Sequence, residues 1–228
     1  MYPIVKRFFD FLFSLIAIVL LAPLWLVLIP ALLLTGEGYV FYRQQRIGYR
    51  ARPFGIFKFA TMLKDSPNMP GGLITQKKDP RLTPMGGFLR RSKINELPQL
   101  FNILLGHMSF VGPRPLVKKS FDVYPDAMRN NIYNVRPGLT GIGSLVFRDE
   151  EMLIQQAKDA GHDEWAFYSE CIYPFKGTLE MWYLSQAGFI TDLKILLLTA
   201  LAVLVPDSKL VYKVFPALPA NPVQPETA

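Results

Sequence analysis

Residues 11–34 carry no charged side chain, and Ser14 is the only polar one among them. The run exceeds the roughly 20 residues a helix needs to cross a bilayer and the about 7–15 of a signal-peptide core. Lys6 and Arg7 precede it; Arg43, Arg46, Arg50, Arg52 and Lys58 follow it. A simple span collects basic residues on one side, the cytoplasmic one. Here both ends carry them. Pro23 sits in the middle of the run and Pro30 follows one heptad later, and a proline inside a helix removes a hydrogen bond and bends it. The pattern predicts a re-entrant helical hairpin over residues 1–36 that dips into one leaflet and turns near Pro23. A tilted full span is the competing reading.

A second apolar stretch covers 189–205, interrupted by Asp192 and Lys194. Apolar residues at 189, 190, 193, 196, 197, 200, 201 and 204 follow helical spacing. Its uninterrupted part, 195–205, gives about 16 Å of helix, too short to span. It reads as an amphipathic helix over 188–213 lying in the membrane interface, or equally as a core helix. Residues 214–228 carry four prolines and read as a flexible tail.

Between these stretches lies a predicted catalytic domain, 37–187. Residues 39–63 mix aromatic and basic positions, and alternation over 54–59 predicts short strands. Residues 65–87 are dense in proline and glycine and read as a loop. Over 88–105, Leu97, Leu100, Phe101, Leu104 and Leu105 mark one helical face, with Asn95 the expected N-cap and Glu96 and Pro98 in the first turn. A helix N-terminus there would stabilise the Glu96 carboxylate or receive a phosphate. Residues 106–115 and 136–143 read as two tight turns around Arg114 and Arg136, and a fixed guanidinium matches two phosphate oxygens at once.

Half of the chain is apolar, which excludes a disordered polar chain. One cysteine, Cys171, excludes an intrachain disulfide framework, and two histidines are too few for a His-rich site. Residues 1–120 hold 17 Lys and Arg against 5 Asp and Glu, whereas residues 121–228 hold 8 against 13. A basic first half suggests an anionic partner. The apolar run favours membrane lipid over nucleic acid, and no nucleic-acid module is recognisable. The acids of the second half include Asp149, Glu150 and Glu180. Oxygen ligands suit magnesium, but no known metal-site spacing links them.

The ordered pieces KRFFD at 6–10, VFYRQQRIG at 40–48, FKF at 57–59, NELPQLFNIL at 95–104, GHMSFVGPRP at 106–115, RPGLTG at 136–141 and DLKI at 192–195 resemble the bacterial sugar transferases, the monotopic phosphoglycosyl transferases. The resemblance covers about residues 2–205. It implies an α+β, mainly helical monotopic membrane protein: a re-entrant helix, interfacial helices and a small globular catalytic part. It implies transfer of a sugar-1-phosphate from a nucleotide diphosphate sugar, commonly a uridine one, to polyprenyl phosphate. The reaction would take place on the cytoplasmic face of the bacterial inner membrane, with Mg2+ as cofactor, and would initiate assembly of a surface glycan. Homo-oligomerisation is left open. The implied catalytic residues are Asn95 and Glu96, and Lys58, Arg90, Arg114 and Arg136 are the candidate substrate-binding cations. Glu96, Asp149 and Glu180 are the candidate metal ligands.

The family's catalytic pair is Asp-Glu before Leu-Pro, with the aspartate as nucleophile; this chain has Asn95-Glu96. An amide has no anionic oxygen and cannot form that covalent intermediate in the usual way. His107 stands where the family has an acid, Ala60 replaces a common basic residue, and 142–150 depart from the usual stretch. Four readings of Asn95 follow: direct transfer assisted by Glu96, a nucleophile from elsewhere such as Asp149 or Glu150, a silent membrane scaffold, or an engineered exchange.

Overall fold

The computed structural model describes residues 2–69, 79–204 and 209–223. The chain opens with two helices, α1 (Tyr2–Leu20) and α2 (Ala22–Thr35), followed by a β-hairpin of β1 (Phe41–Ile47) and β2 (Pro53–Phe59). Helix α3 (Gly86–Arg91), a 3-10 turn (Ile94–Glu96) and α4 (Gln99–Leu104) lead to β3 (Ser109–Val111). Two short helices, α5 (Lys118–Phe121) and α6 (Asp126–Ile132), precede β4 (Gly138–Thr140). Helices α7 (Ile142–Val146), α8 (Glu150–Asp159) and α9 (Glu164–Phe167) follow. A π-helical segment (Tyr168–Ile172) runs into α10 (Tyr173–Gln186), and α11 (Phe189–Leu204) and α12 (Lys209–Val214) close the chain. Among the described residues the protein is mainly helical with two two-stranded sheets, consistent with the α+β expectation.

The chain divides into two compact units: Met1–Arg7, Arg46–Phe54 and His107–Ala228 form the first, and Phe8–Gln45 and Gly55–Gly106 the second. In the second unit, α1 and α2 meet at Leu21 with a bend of 63°. Pro23 lies in the first turn of α2, where its missing N–H would be unsatisfied in any case. It therefore starts a new helix after the break instead of kinking a continuous one. No single helix among the described residues is long and apolar enough to cross a membrane, whereas the bent pair passes that test together.

A core of Trp25, Leu28, Leu32, Val40, Phe59 and Leu89 ties α2 to β2 and α3. Trp25 meets Phe59 at 5.2 Å between ring centroids and Phe101 of α4 edge-on at 5.4 Å, a geometry that adds about 1 kcal/mol per pair beyond area burial. Exposed apolar residues remain on the other faces, Leu26 and Val27 on α2 and Phe8 and Val19 on α1 among them.

The helix expected to start at Asn95 is arranged differently. Asn95 lies inside the 3-10 turn, which follows Lys93 at φ 59°, and α4 begins only at Gln99 after Pro98. Asn95 therefore caps no helix and Glu96 precedes α4. The first N–H groups of α4 find backbone acceptors instead of a side-chain cap, Leu100 on the Leu97 carbonyl and Phe101 on the Pro98 carbonyl. The buried face of α4 is also not the expected one: Gln99, Leu100, Asn102 and Ile103 are buried, while Phe101 and Leu105 are exposed. Of the loop expected over 65–87, residues 70–78 lie outside the described residues; the described remainder forms turns, a Met62–Leu82 bridge and the start of α3.

In the first unit, the two expected turns carry a parallel strand pair, β3 with β4, in register Ser109 to Gly138 and Val111 to Thr140. A Cβ on Gly138 would lie 2.2 Å from the Gly112 nitrogen, and one on Gly112 would lie 2.5 Å from the Arg136 carbonyl oxygen. Only glycines allow this approach. Helix α11 buries Asp192, Ile195 and Leu198 and exposes Phe189, Ile190, Leu193, Leu196, Leu197 and Leu201. The apolar stripe read from the sequence thus faces outward. Within the expected tail, Phe215 and Leu218 are buried, and Phe215 packs edge-on against Trp182 at 5.4 Å. Residues 224–228 lie outside the described residues.

Candidate active site

The candidate residues fall into two groups, one in each unit. In the second unit β2 carries Lys58, and the turn before α4 carries Asn95 and Glu96. What holds these elements together is Asn102, a residue the sequence reading did not single out. It is fully buried; its Oδ1 accepts the Phe57 N–H at 2.9 Å and its Nδ2 donates to the Gly55 carbonyl at 2.8 Å. A side-chain amide can satisfy one donor and one acceptor of a strand edge at once, so Asn102 pins α4 to β2 in a single register. The available signal was its polarity between Leu100 and Ile103 on the face that proves to be buried.

With that register set, the Lys58 ammonium faces the Glu96 carboxylate at 3.8 Å, and both side chains are 16% exposed. The distance is long for a direct hydrogen bond. Asn95 beside it is buried, and its Oδ1 has no hydrogen-bond partner among the described residues. An unmade hydrogen bond at a buried amide oxygen costs about 1–3 kcal/mol. Arg90 sits half-buried at the end of α3 in the same unit.

In the first unit Arg114 follows β3, and its side chain is exposed. Its backbone is held by Glu180 of α10, whose carboxyl accepts the N–H groups of Arg114 and Gly143. Glu180 Oε2 has no partner among the described residues, so Oε1 is the acceptor. A Cβ on Gly143 would come within 2.6 Å of that oxygen. Burial pushes the Glu180 carboxyl up to about 8, against the lowering effect of those two donors and of Lys176 and Arg114. A proton on this group near neutrality makes it a poor cation ligand, and its visible task is to fix the turn bearing Arg114. The carbonyl of Arg114 in turn accepts from the Tyr133 hydroxyl at 2.7 Å.

Beneath this turn Lys176 pairs with Glu150 and lies 3.4 Å from the Tyr168 hydroxyl. Burial lowers the Lys176 ammonium, and Glu150 opposes that shift. Asp149 precedes α8 half-buried and makes no side-chain cap there. Arg136 places its guanidinium 5.4 Å from the Tyr49 ring centroid. The first and last motifs of the chain also meet here. Lys6 pairs with Asp192 and donates to the Val111 carbonyl at 2.8 Å, while the hydroxyls of Tyr2 and Tyr183 donate to Asp192, Tyr183 at 2.7 Å.

No group of three or more His, Cys, Asp or Glu side chains able to hold a metal ion exists among the described residues. Magnesium does not require one, because it keeps several waters and is commonly bound by one or two carboxylates plus substrate phosphates. Glu96, next to the unpartnered Asn95 Oδ1, provides oxygen donors of that kind, so these residues fit the ion.

The family model of the bacterial sugar transferases matches residues 1–206. The chain belongs to the bacterial sugar transferase family. Among individual relatives, it is 33% identical to the exopolysaccharide production protein ExoY of Sinorhizobium fredii over 75% of this chain and 82% of that protein. It is 33% identical to the uncharacterized sugar transferase EpsL of Bacillus subtilis over 90% and 89%, respectively. It is 38% identical to the undecaprenyl-phosphate glucose phosphotransferase of Komagataeibacter xylinus over 64% of this chain but only 30% of that longer protein. As a sugar transferase, the chain departs from its family's Asp-Glu pair at the residue with the unsatisfied buried amide oxygen.

Proposed function

We propose that this sugar transferase moves a sugar-1-phosphate from a UDP-sugar to polyprenyl phosphate at the cytoplasmic face of the bacterial inner membrane, beginning assembly of a surface glycan. The reading rests on the family membership together with the Lys58–Glu96 pair and the neighbouring Asn95, whose Oδ1 has no partner among the described residues. The bent α1–α2 pair and the exposed apolar face of α11 support a re-entrant anchor with an interfacial helix, which would keep the site where a soluble donor meets a lipid-borne phosphate.

Asn95 cannot form an acyl phosphate, and the step we propose is a direct transfer. An oxygen of the polyprenyl phosphate attacks the sugar-bearing phosphorus. The bond from that phosphorus to the bridging oxygen breaks, and UMP leaves. Lys58 provides positive charge to the phosphoryl oxygens in a partly desolvated setting. Glu96, with the Asn95 amide oxygen, would hold Mg2+, which when bound supplies charge stabilisation on the transferring phosphoryl group.

The test is UMP release over a panel of UDP-sugars with polyprenyl phosphate, run on the full chain and on Asn95→Asp. Release that requires the lipid phosphate supports direct transfer; release from Asn95→Asp alone does not. That second outcome would favour the other reading, a silent scaffold that binds polyprenyl phosphate, for which the missing carboxylate at 95 is the specific observation.

A further inference from the structure

The tip of the β1–β2 hairpin has the wrong residues for its shape. The Arg52 N–H closes the turn on the Tyr49 carbonyl, and the two central residues, Arg50 and Ala51, have φ of 56° and 55°. Positive φ at both central positions defines a type I′ turn, which selects Asn-Gly, Asp-Gly or Gly-Gly because other residues place Cβ against the backbone. A non-glycine residue held there is strained, and such strain concentrates where a binding function maintains it.

What the tip presents is positive charge around one aromatic ring. The Arg50 guanidinium lies 5.2 Å from the Tyr49 ring centroid, and the Arg136 guanidinium lies 5.4 Å from the same centroid. Arg50 makes no ion pair among the described residues, and Tyr49, Arg50 and Arg52 are all exposed. The arrangement is built, because both supports are buried. The Arg50 N–H donates to the Tyr133 carbonyl at 2.8 Å, and the Arg136 carbonyl lies against Gly112 at the β3–β4 crossing. Two guanidinium groups gathered at one exposed ring concentrate positive charge, and the planar fork matches phosphate oxygens.

We propose that Arg50, presented by this strained turn, forms with Tyr49 and Arg136 a binding site for a phosphate or diphosphate group. The proposal rests on the transferase reading only for the two sources considered, the diphosphate of a nucleotide donor and a lipid headgroup. The anion site itself does not depend on turnover.

The experiment uses the full chain in detergent and in vesicles. Affinity for UDP is measured by calorimetry, binding to phosphatidylglycerol vesicles by flotation, and thermal stability in parallel. The variants are Arg50→Asn, which relieves the turn and removes the fork, Arg50→Gln, which removes the fork alone, and Lys118→Asn as a charge-matched control on an exposed helix. We expect Arg50→Asn to keep or raise the melting temperature while weakening one of the two probes at least fivefold, with Arg50→Gln weakening the same probe and Lys118→Asn neither. Loss confined to UDP assigns the nucleotide source, and loss confined to vesicles assigns the lipid source. Unchanged binding of both probes by both Arg50 variants, or loss of equal size in Lys118→Asn, overturns the proposal. Wild-type protein that binds neither probe overturns it as well. Failure of UMP release with intact Arg50-dependent UDP binding would sink the transferase reading alone.

Discussion

The Lys58–Glu96 pair of the second unit and the Lys6–Asp192 pair of the first use the same two kinds of group in opposite ways. Around Asp192 two tyrosine hydroxyls and a lysine converge, and Lys6 also reaches a strand carbonyl. Every oxygen there has a partner, and the network holds the start of α1 to α11 and β3. Around Glu96 the lysine stands off at 3.8 Å, and the neighbouring amide oxygen has no partner. The two pairs therefore differ in closeness and in their surroundings, one tightly bonded at every Asp192 oxygen and one a wider pair beside a buried amide oxygen without a partner, although both are mostly shielded from water. Glu180 lies between these extremes, with one oxygen fixing the Arg114 turn and the other unpartnered.

The strongest way to break the comparison is at Glu96. Glu96→Gln is expected to reduce UMP release by about 10²- to 10³-fold, the usual loss when one electrostatic contact to a transferring group is removed, with the melting temperature nearly unchanged. A large stability loss instead would make this pair structural like the other. The reciprocal change, Asp192→Ala, is expected to destabilise the chain by about 3 kcal/mol, because it leaves Lys6 without its carboxylate partner in a shielded site. Thermal unfolding in detergent reads this directly.

Glu180 sharpens the contrast through pH. In the unfolded chain it ionises near 4.5, and in the folded chain it keeps its proton up to about 8. Between those values the folded state binds more protons, so its contribution to stability is complete at the acid end and is lost as pH rises, by at most about 1.4 kcal/mol per pH unit. Stability measured from pH 5 to 8 should decline with this slope, and Glu180→Gln should flatten it. The smallest effect is expected on the outward face of α11. Leu197→Glu should weaken vesicle flotation severalfold, since it removes about 2 kcal/mol of apolar burial in lipid, and should leave the melting temperature unmoved; a lowered melting temperature would return this face to the protein core.

Much of the fold was legible because the signals were local. The uncharged run broken near Pro23, the alternation over 54–59 and the helical stripe over 189–204 each depend on neighbours a few residues apart, and each corresponds to an observed element. The break falls at Leu21, which places Pro23 in the first turn of the next helix, where its missing N–H costs no intrahelical bond. Less legible was α4. Its apolar residues fit two helical faces, and its N-terminus depends on Pro98, not Asn95; the choice was made by Asn102 bonding to β2, a partner 45 residues away at Phe57. The turns around Arg114 and Arg136 were legible as turns but not as strands, since three-residue strands have too little pattern to show a period and exist here only because they pair with each other.

The sequence by itself determined the long uncharged apolar run, the basic first half, the family motifs in their order and the amide where a carboxylate is usual, since all of these are properties of residue type and spacing along the chain. Only the tertiary structure decided which buried side-chain oxygens have partners, that Glu180 serves the backbone of Arg114, and that the apolar stripe of α11 faces outward. Burial and hydrogen-bond partnership are set by residues far apart in sequence, so no local pattern encodes them.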